Sequence, residues 1–261
     1  MLLAAPLPPL LFASSLVIVF AAGIVRGFSG FGFSALSVAG LALLISPARV
    51  VPAIFVLEVL ASVGLLRSAV HDIDWHWLSW LAVGNALCIP LGILVLAWVP
   101  ETPLRLLIGV LLALAALALR GGFSVTLAPT PRVRLGVGMI SGFANGVAAI
   151  GGIAVAVLLS ASSITPAALR ATLIALFLFT DLYALACAAV VSTVANAPLE
   201  LLGPDTLRWV LWFTPAMAAG IWVGHRSFAG VSPERFRRHV LNLLIVIAAV
   251  SVLRSLLDLL A

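Results

Sequence analysis

The sequence predicts an all-α polytopic membrane protein made of two inverted structural repeats, each of about five helical segments with glycine-broken helices. Three observations carry this prediction: an apolar composition, a glycine pattern that occurs twice at a fixed offset, and a lopsided distribution of arginine. Of 261 residues, 64% are hydrophobic and 9% are charged, and the mean hydropathy is +1.28. A soluble domain carries about 25% charged residues; too few remain here to cover a water-facing surface. Runs such as Leu104–Leu119 and Leu241–Leu253 do not alternate polar and apolar residues, which argues against a membrane β-barrel.

Hydropathy and punctuation divide the chain into helical pieces. Leu10–Val25 comes first; no basic stretch precedes it, so it reads as a retained helix and not a cleaved signal peptide. Phe33–Ile45 lies between a glycine cluster and Ser46-Pro47. Val50–Leu66 ends at Arg67, Trp75–Val99 at Pro100 and Leu104–Leu119 at Arg120. Gly121–Arg134, rich in Gly, Pro and Arg, reads as a linker. Leu135–Ala149, Ile153–Ser163, Ala168–Val191, Leu207–His225 and Phe236–Leu257 follow, with a loop expected in the stretch VSTVANAPLELLGPD. A crossing takes about 20 residues. Ile153–Ser163 is too short for that and suits a half-helix or a re-entrant segment, which is tolerated only inside protein or along a cavity. The expected organisation is a first repeat over residues 1–120, a cytoplasmic linker over 121–134 and a second repeat over 135–261.

The repeat is legible in glycine. Gly23, Gly27 and Gly32 have the spacing G-x3-G-x4-G, and Gly142, Gly146 and Gly151 repeat it 119 residues later (142 − 23 = 146 − 27 = 151 − 32 = 119). Ser46-Pro47 and Thr165-Pro166 keep that register. Further on, Trp80, Gly92 and Arg105 match Trp212, Gly224 and Arg237 at an offset of 132, so 13 residues have entered the second copy between Ala186 and Leu207.

All 14 basic residues are arginine. With five crossings per half, Arg26, Arg67, Arg120, Arg132, Arg134, Arg170, Arg226, Arg235, Arg237 and Arg238 fall on one side. Arg49, Arg105, Arg208 and Arg254 fall on the other, a division of 10 against 4. This bias marks the first side as cytoplasmic and places both termini outside. Four crossings per half would divide the arginines almost evenly. An odd number of crossings per half makes the halves inverted. The net charge of +5 does not point to nucleic acid, because the arginines stand singly at segment ends.

Duplicated, glycine-interrupted apolar segments are a sequence pointer to the substrate site of a secondary transporter. Glycine frees the backbone from helical geometry, and an exposed helix N-terminus binds anions. Gly27, Gly30, Gly32, Gly146, Gly151 and Gly152 are therefore expected to shape a site, to which the Ser29 and Ser34 hydroxyls would add donors; the competing reading is plain helix packing. Arg26 and Arg170 are candidate anion contacts, since a planar guanidinium can bind two oxygens at once; the competing role is to set topology. Asn145, the repeat partner of Arg26, is a third candidate.

Glu58 and Asp181 lie deep in apolar sequence. An ionisable group at mid-bilayer costs about 2.5–3.5 kcal/mol on insertion scales and tends to be functional. The two acids sit at similar depth in opposite halves, since 181 − 119 = 62, one turn from 58. They are candidate proton carriers or, alternatively, structural acids. His71-Asp72-Ile73-Asp74-Trp75-His76-Trp77 resembles a metal site, but its tryptophans suit a membrane boundary and no second ligand cluster accompanies it, so no metal is assigned. Cys88 and Cys187 do not form a redox pair. No nucleotide-binding loop, nucleophile elbow or zinc-protease motif occurs, so no cofactor and no enzymatic activity are assigned.

These residues resemble a known family. AGIVRGFSGFGFSAL at Ala22–Leu36 and SGFANGVAAIGGIAV at Ser141–Val155 are similar to the two glycine-rich signatures of the TauE/SafE membrane proteins. Ile73-Asp74-Trp75, Ile89-Pro90-Leu91-Gly92 and Leu169-Arg170-Ala171-Thr172-Leu173 extend the resemblance, which runs from about Leu16 to Leu253. It implies a multi-pass permease of the bacterial inner membrane for small anions such as sulfite or an organosulfonate, most often an exporter. The expectation is thus a secondary transporter of a small anion, with proton coupling through the two acids. Its partners are the anion and the lipid bilayer, and a homo-oligomer is left open. The alternatives are an uncoupled channel or permease for a non-sulfur substrate, an intramembrane enzyme, and a non-transporting assembly protein.

Overall fold

The computed structural model describes residues 7–121, 130–160, 164–194, 201–226 and 233–260. They form helices α1 (Pro9–Ser29), α2 (Phe33–Leu41), α3 (Pro47–Ala69), α4 (Trp75–Trp98), α5 (Glu101–Arg120), α6 (Pro131–Ala148), α7 (Gly152–Ser160), α8 (Pro166–Val194), α9 (Pro204–Arg226) and α10 (Pro233–Leu260). A 3₁₀ turn, Val70–Asp72, joins α3 to α4. Each expected piece corresponds to one helix, with described ends moved by about a turn at most; residues 161–163, the end of the expected Ile153–Ser163 piece, lie outside the described residues.

The shifts have a physical cause. Pro9, Pro47, Pro131, Pro166, Pro204 and Pro233 each open a helix. Proline suits the first helical position, where its missing N–H would be unpaired anyway and its φ is preset. Hydropathy starts a helix at its apolar residues and so overlooks this first turn. As a result Pro131–Arg134, expected in the linker, belongs to α6, and α8 runs on to Val194 into the expected loop. Residues 122–129 of the linker and 195–200 of the loop lie outside the described residues. Asp74 caps α4 by accepting from the amides of His76 and Trp77, and its own amide donates to Thr172 Oγ1 on α8. The tryptophan-rich segment is thus a helix start tied to a neighbour.

Helices α1, α3, α4, α5, α8 and α10 are long and apolar enough to cross a membrane. Large apolar residues such as Val17, Val63, Leu87, Leu114 and Val246 face outward and are exposed, the surface that lipid covers. The chain is a multi-pass membrane protein. Helices α2 and α7, of nine residues each, are about 14 Å long and reach roughly halfway through a hydrocarbon core of about 30 Å.

Glycine sets the closest approaches. On α1, Gly23 and Gly27 lie against the backbone of Met217–Ile221 and Ile221–His225 of α9, and Gly220 and Gly224 return the contact. On α4, Gly84 and Gly92 lie against the backbone around Gly138 and Gly146 of α6. Numbers rise together along both pairs, so α1 runs parallel to α9 and α4 to α6. These two pairs exchange under the sequence repeat, with α1 matching α6 and α4 matching α9. The other major contacts follow suit: α3 packs on α8, α5 on α10, α3 on α9 and α4 on α8.

The chain leaves the helix at corresponding points in the two copies. Gly30 (φ 81°) ends α1 with its amide on the Arg26 carbonyl, and Gly32 (φ 89°) precedes α2. Ala149 (φ 57°), 119 residues after Gly30, ends α6 with its amide on the Asn145 carbonyl. α2 then folds back along α1, bringing Gly40 against Ile18.

Ala149 is the one described non-glycine residue with positive φ, a conformation that costs an L-residue about 1–2 kcal/mol. Ala149→Gly is expected to raise stability by up to about 1 kcal/mol after the loss to a more flexible unfolded chain, read by thermal unfolding in detergent. Gly220→Val is expected to lower it by about 1–3 kcal/mol through overpacking against the backbone of α1. Gly136→Ala, where a Cβ meets open space, should change it little.

Candidate functional site

A charged cluster sits where α1, α2, α3 and α8 converge. Arg26 extends from the last turn of α1 and is completely buried. Its Nη1 pairs with Glu58 Oε2 of α3 at 2.9 Å, and its Nη2 donates to Ser62 Oγ, one turn further along α3, at 2.9 Å. Its Nε has no hydrogen-bond partner among the described residues. The Phe177 ring of α8 lies 5.0 Å from the guanidinium carbon, a cation–π contact that stabilises a desolvated cation.

Glu58, 2% exposed, uses its other oxygen differently. Oε1 accepts from the Ser34 amide at 3.0 Å. That amide belongs to the first turn of α2, whose N–H groups have no helical partner and carry the positive end of the helix dipole. The carboxylate is therefore held between a guanidinium and a helix N-terminus, both of which attract anions.

The second half supplies a related arrangement. Asn145, on the last turn of α6, donates through Nδ2 to Asp181 Oδ1 of α8 at 2.9 Å, and both are buried. Asp181 stands one turn beyond Phe177, the residue whose ring lies against Arg26. Under the 119-residue offset, Arg26 corresponds to Asn145, Ser62 to Asp181 and Glu58 to Phe177. In each half a polar residue before the helix break bonds to the same position of the third helix.

The remaining expected residues divide. Gly30 receives the Arg170 side chain, which lies over it where a Cβ would collide. Gly32 precedes α2. Gly151 packs on Ser141 and Asn145, and Gly152 faces the Phe177 ring. Gly27 and Gly146, in contrast, face α9 and α4 and serve helix packing. The Ser29 hydroxyl is occupied by the Val25 and Phe31 carbonyls of its own turn, at 2.7 Å each. Ser34 contributes its backbone amide to the cluster. Ser62 and Phe177 were not expected; the signal that finds them is the repeat register applied to Asp181 and Glu58.

A cavity of about 740 Å³ lies between α3, α8 and α9. Its charged and titratable lining is Asp72, Arg170 and His225, and its apolar lining includes Ala61, Ile174 and Trp222. Ala61 of its lining adjoins Ser62 in sequence, and Ile174 stands one turn before Phe177.

Removing one partner of a buried ion pair costs about 3–5 kcal/mol, whereas replacing both with apolar residues is often nearly neutral. Arg26→Met is expected to fall in that range, and Arg26→Met with Glu58→Met to recover most of the loss, measured by unfolding in detergent. A double variant no more stable than the single one would contradict the pairing.

Comparison with known proteins agrees with this geometry. No curated protein and no solved structure matches the chain. The family model described as Sulfite exporter TauE/SafE matches residues 15–251, which takes in all the residues of the cluster and the cavity. The chain belongs to the TauE/SafE family of membrane transporters.

Proposed function

We propose that the chain is a secondary transporter that exports a small monoanion, sulfite in its hydrogensulfite form or an organosulfonate, across the bacterial inner membrane. The observation that carries this reading is Arg26. It is a completely buried cation whose fork faces a carboxylate at a helix N-terminus and whose Nε has no hydrogen-bond partner among the described residues. A guanidinium is costly at membrane depth, and such residues mark ion and substrate pathways. In this reading Arg26 and the α2 N-terminus around Ser34 bind the anion, with Gly30, Gly32, Gly151 and Gly152 shaping the breaks. Arg170, over Gly30, covers the passage from the cavity, and Glu58 and Asp181 with Asn145 are the coupling groups.

The two halves are read as inverted repeats. The 42–43 turn after α2 supports this, because its carbonyls accept from Arg105 at the start of α5 and from Arg254 near the end of α10. Two helices, α3 and α4, separate the turn from α5 in either count, so the Arg105 bond fits both. The turn and the end of α10 share a membrane face if α6 and α7 cross separately, which gives five crossings in that half, and lie on opposite faces if α6 and α7 together form one crossing. The cavity, with Arg170 and His225, then belongs to the arginine-rich, cytoplasmic face, where an exporter takes up its cargo. Rocking one half against the other would expose the cluster alternately.

The test is flux into proteoliposomes containing purified protein, with labelled sulfite, sulfate and ethanesulfonate, with and without a pH gradient. Saturable, gradient-dependent flux of a monoanion is expected. Arg26→Lys keeps the charge but loses the planar fork, and it should lower the rate by about tenfold or more, because a charge-assisted hydrogen bond is worth about 1.5–3 kcal/mol. Flux indifferent to the gradient and to removal of both acids would indicate a channel. No flux of any of the three from folded protein would withdraw the anion assignment.

A further inference from the structure

The Glu58 carboxylate occupies the position that best suits an incoming anion. Its two oxygens meet the two groups that attract an anion: Oε2 forms an ion pair with Arg26 Nη1, and Oε1 accepts from the Ser34 amide at the start of α2. Nothing in this arrangement is specific to a side chain, since a free oxyanion with two terminal oxygens would use the same donors. The cluster is completely shielded, so a second negative charge cannot join the first without a large electrostatic cost. One guanidinium neutralises one anion at a time.

We propose that Glu58 is a tethered stand-in for the substrate, and that a monoanion with at least two terminal oxygens binds only as Glu58 takes up a proton and leaves Arg26 and Ser34. This rests on the reading of the Arg26 cluster as the anion site and adds to it the order of events and the charge of the cargo. The proton comes from the bulk solution by way of the cavity and binds a Glu58 oxygen as that carboxyl leaves, and the anion takes its place against Arg26 and the Ser34 amide in the same step. Each monoanion bound is thus accompanied by one proton, and the site cannot be empty of negative charge at any point. A dianion such as sulfate brings one charge more than the stand-in carries and is disfavoured.

Other charged groups around Glu58 are few. Arg26 faces it from α1 and α2 presents the Ser34 amide, while on α8 Asp181 stands one turn beyond Phe177, whose ring lies against Arg26. Arg170 of α8, His225 of α9 and Asp72 of the 3₁₀ turn line the cavity. Arg105 of α5 is held by the Ala42 carbonyl and Glu101, away from the cluster. Asp181 is therefore the one alternative proton acceptor inside the cluster, and the experiment has to separate the two acids.

The experiment is the binding of ethanesulfonate, a monoanion that does not titrate in this range, to purified full-length protein by calorimetry between pH 6 and pH 8.5. If one proton enters with each anion, the wild-type dissociation constant rises by about tenfold per pH unit across this range. Glu58→Gln, which removes the competing charge, should bind more tightly than wild type at pH 8.5 and vary by less than about twofold per unit. A slope that survives in Glu58→Gln and disappears in Asp181→Asn would assign the proton to Asp181 and overturn the proposal. A measurement without any variant guards against misfolding: in weakly buffered solution with a pH indicator, wild type should take up one proton per ethanesulfonate bound, and uptake near zero would also overturn it. Wild-type protein that is folded and binds no ethanesulfonate at any pH would instead refute the anion site itself.

Discussion

The structure depends on the pairing of Arg26 with Glu58 inside the helix bundle. Neither charge is tolerable alone at this depth. Together they require four elements to stay in register. α1 must end where Arg26 can reach α3, α2 must begin where its Ser34 amide meets Glu58, and α3 must present Glu58 and Ser62 one turn apart. α8 must lay Phe177 over the guanidinium. The left-handed residues Gly30 and Gly32 make this possible, because they turn the chain between α1 and α2 so that the end of one helix and the start of the next face the same carboxylate.

Close helix packing frames the pair. Lipid gives apolar helices little reason to associate, so small residues that let backbones approach become the means of cohesion. Gly23 and Gly27 with Gly220 and Gly224 hold α1 to α9, and Gly84 and Gly92 with Gly138 and Gly146 hold α6 to α4. Each contact joins a helix of one half to a helix of the other. The halves are thus interlocked, and the polar residues at the ends of α1 and α6 are delivered toward α3 and α8, which pack together. Arg26 and Asn145, which correspond under the 119-residue offset, both bond to residues of those two helices.

Much of this was legible in the chain. The apolar pieces located the ten helices of the described residues, because few polar residues interrupt them. The 119-residue offset related Arg26 to Asn145 and put Glu58 within a turn of the partner of Asp181, and the structure pairs Arg26 with Glu58 and Asn145 with Asp181. What was not legible is instructive. Gly27 and Gly146 belong to the same motif as Gly30, Gly32 and Gly151, yet they face neighbouring helices, and spacing alone does not say which side of a helix a glycine faces. Ser29 looked like a free donor, but its own turn uses its hydroxyl. Ser62 and Phe177 are ordinary residues of apolar helices and acquire meaning only through what they touch. Arg134, assigned to a linker, is instead buried under Trp77, 4.1 Å from its ring, because proline had started α6 earlier than hydropathy indicated.

The central claim is that the donors now held by Glu58 are the binding site of the transported anion. The most direct measurement is an experimental structure of the protein soaked or prepared with 2-bromoethanesulfonate, with the bromine located by its anomalous scattering. The account predicts the sulfonate between the Arg26 guanidinium and the Ser34 amide, with the Glu58 side chain swung away from both. A bound sulfonate elsewhere, with Glu58 still in contact with Arg26 and Ser34, would contradict it.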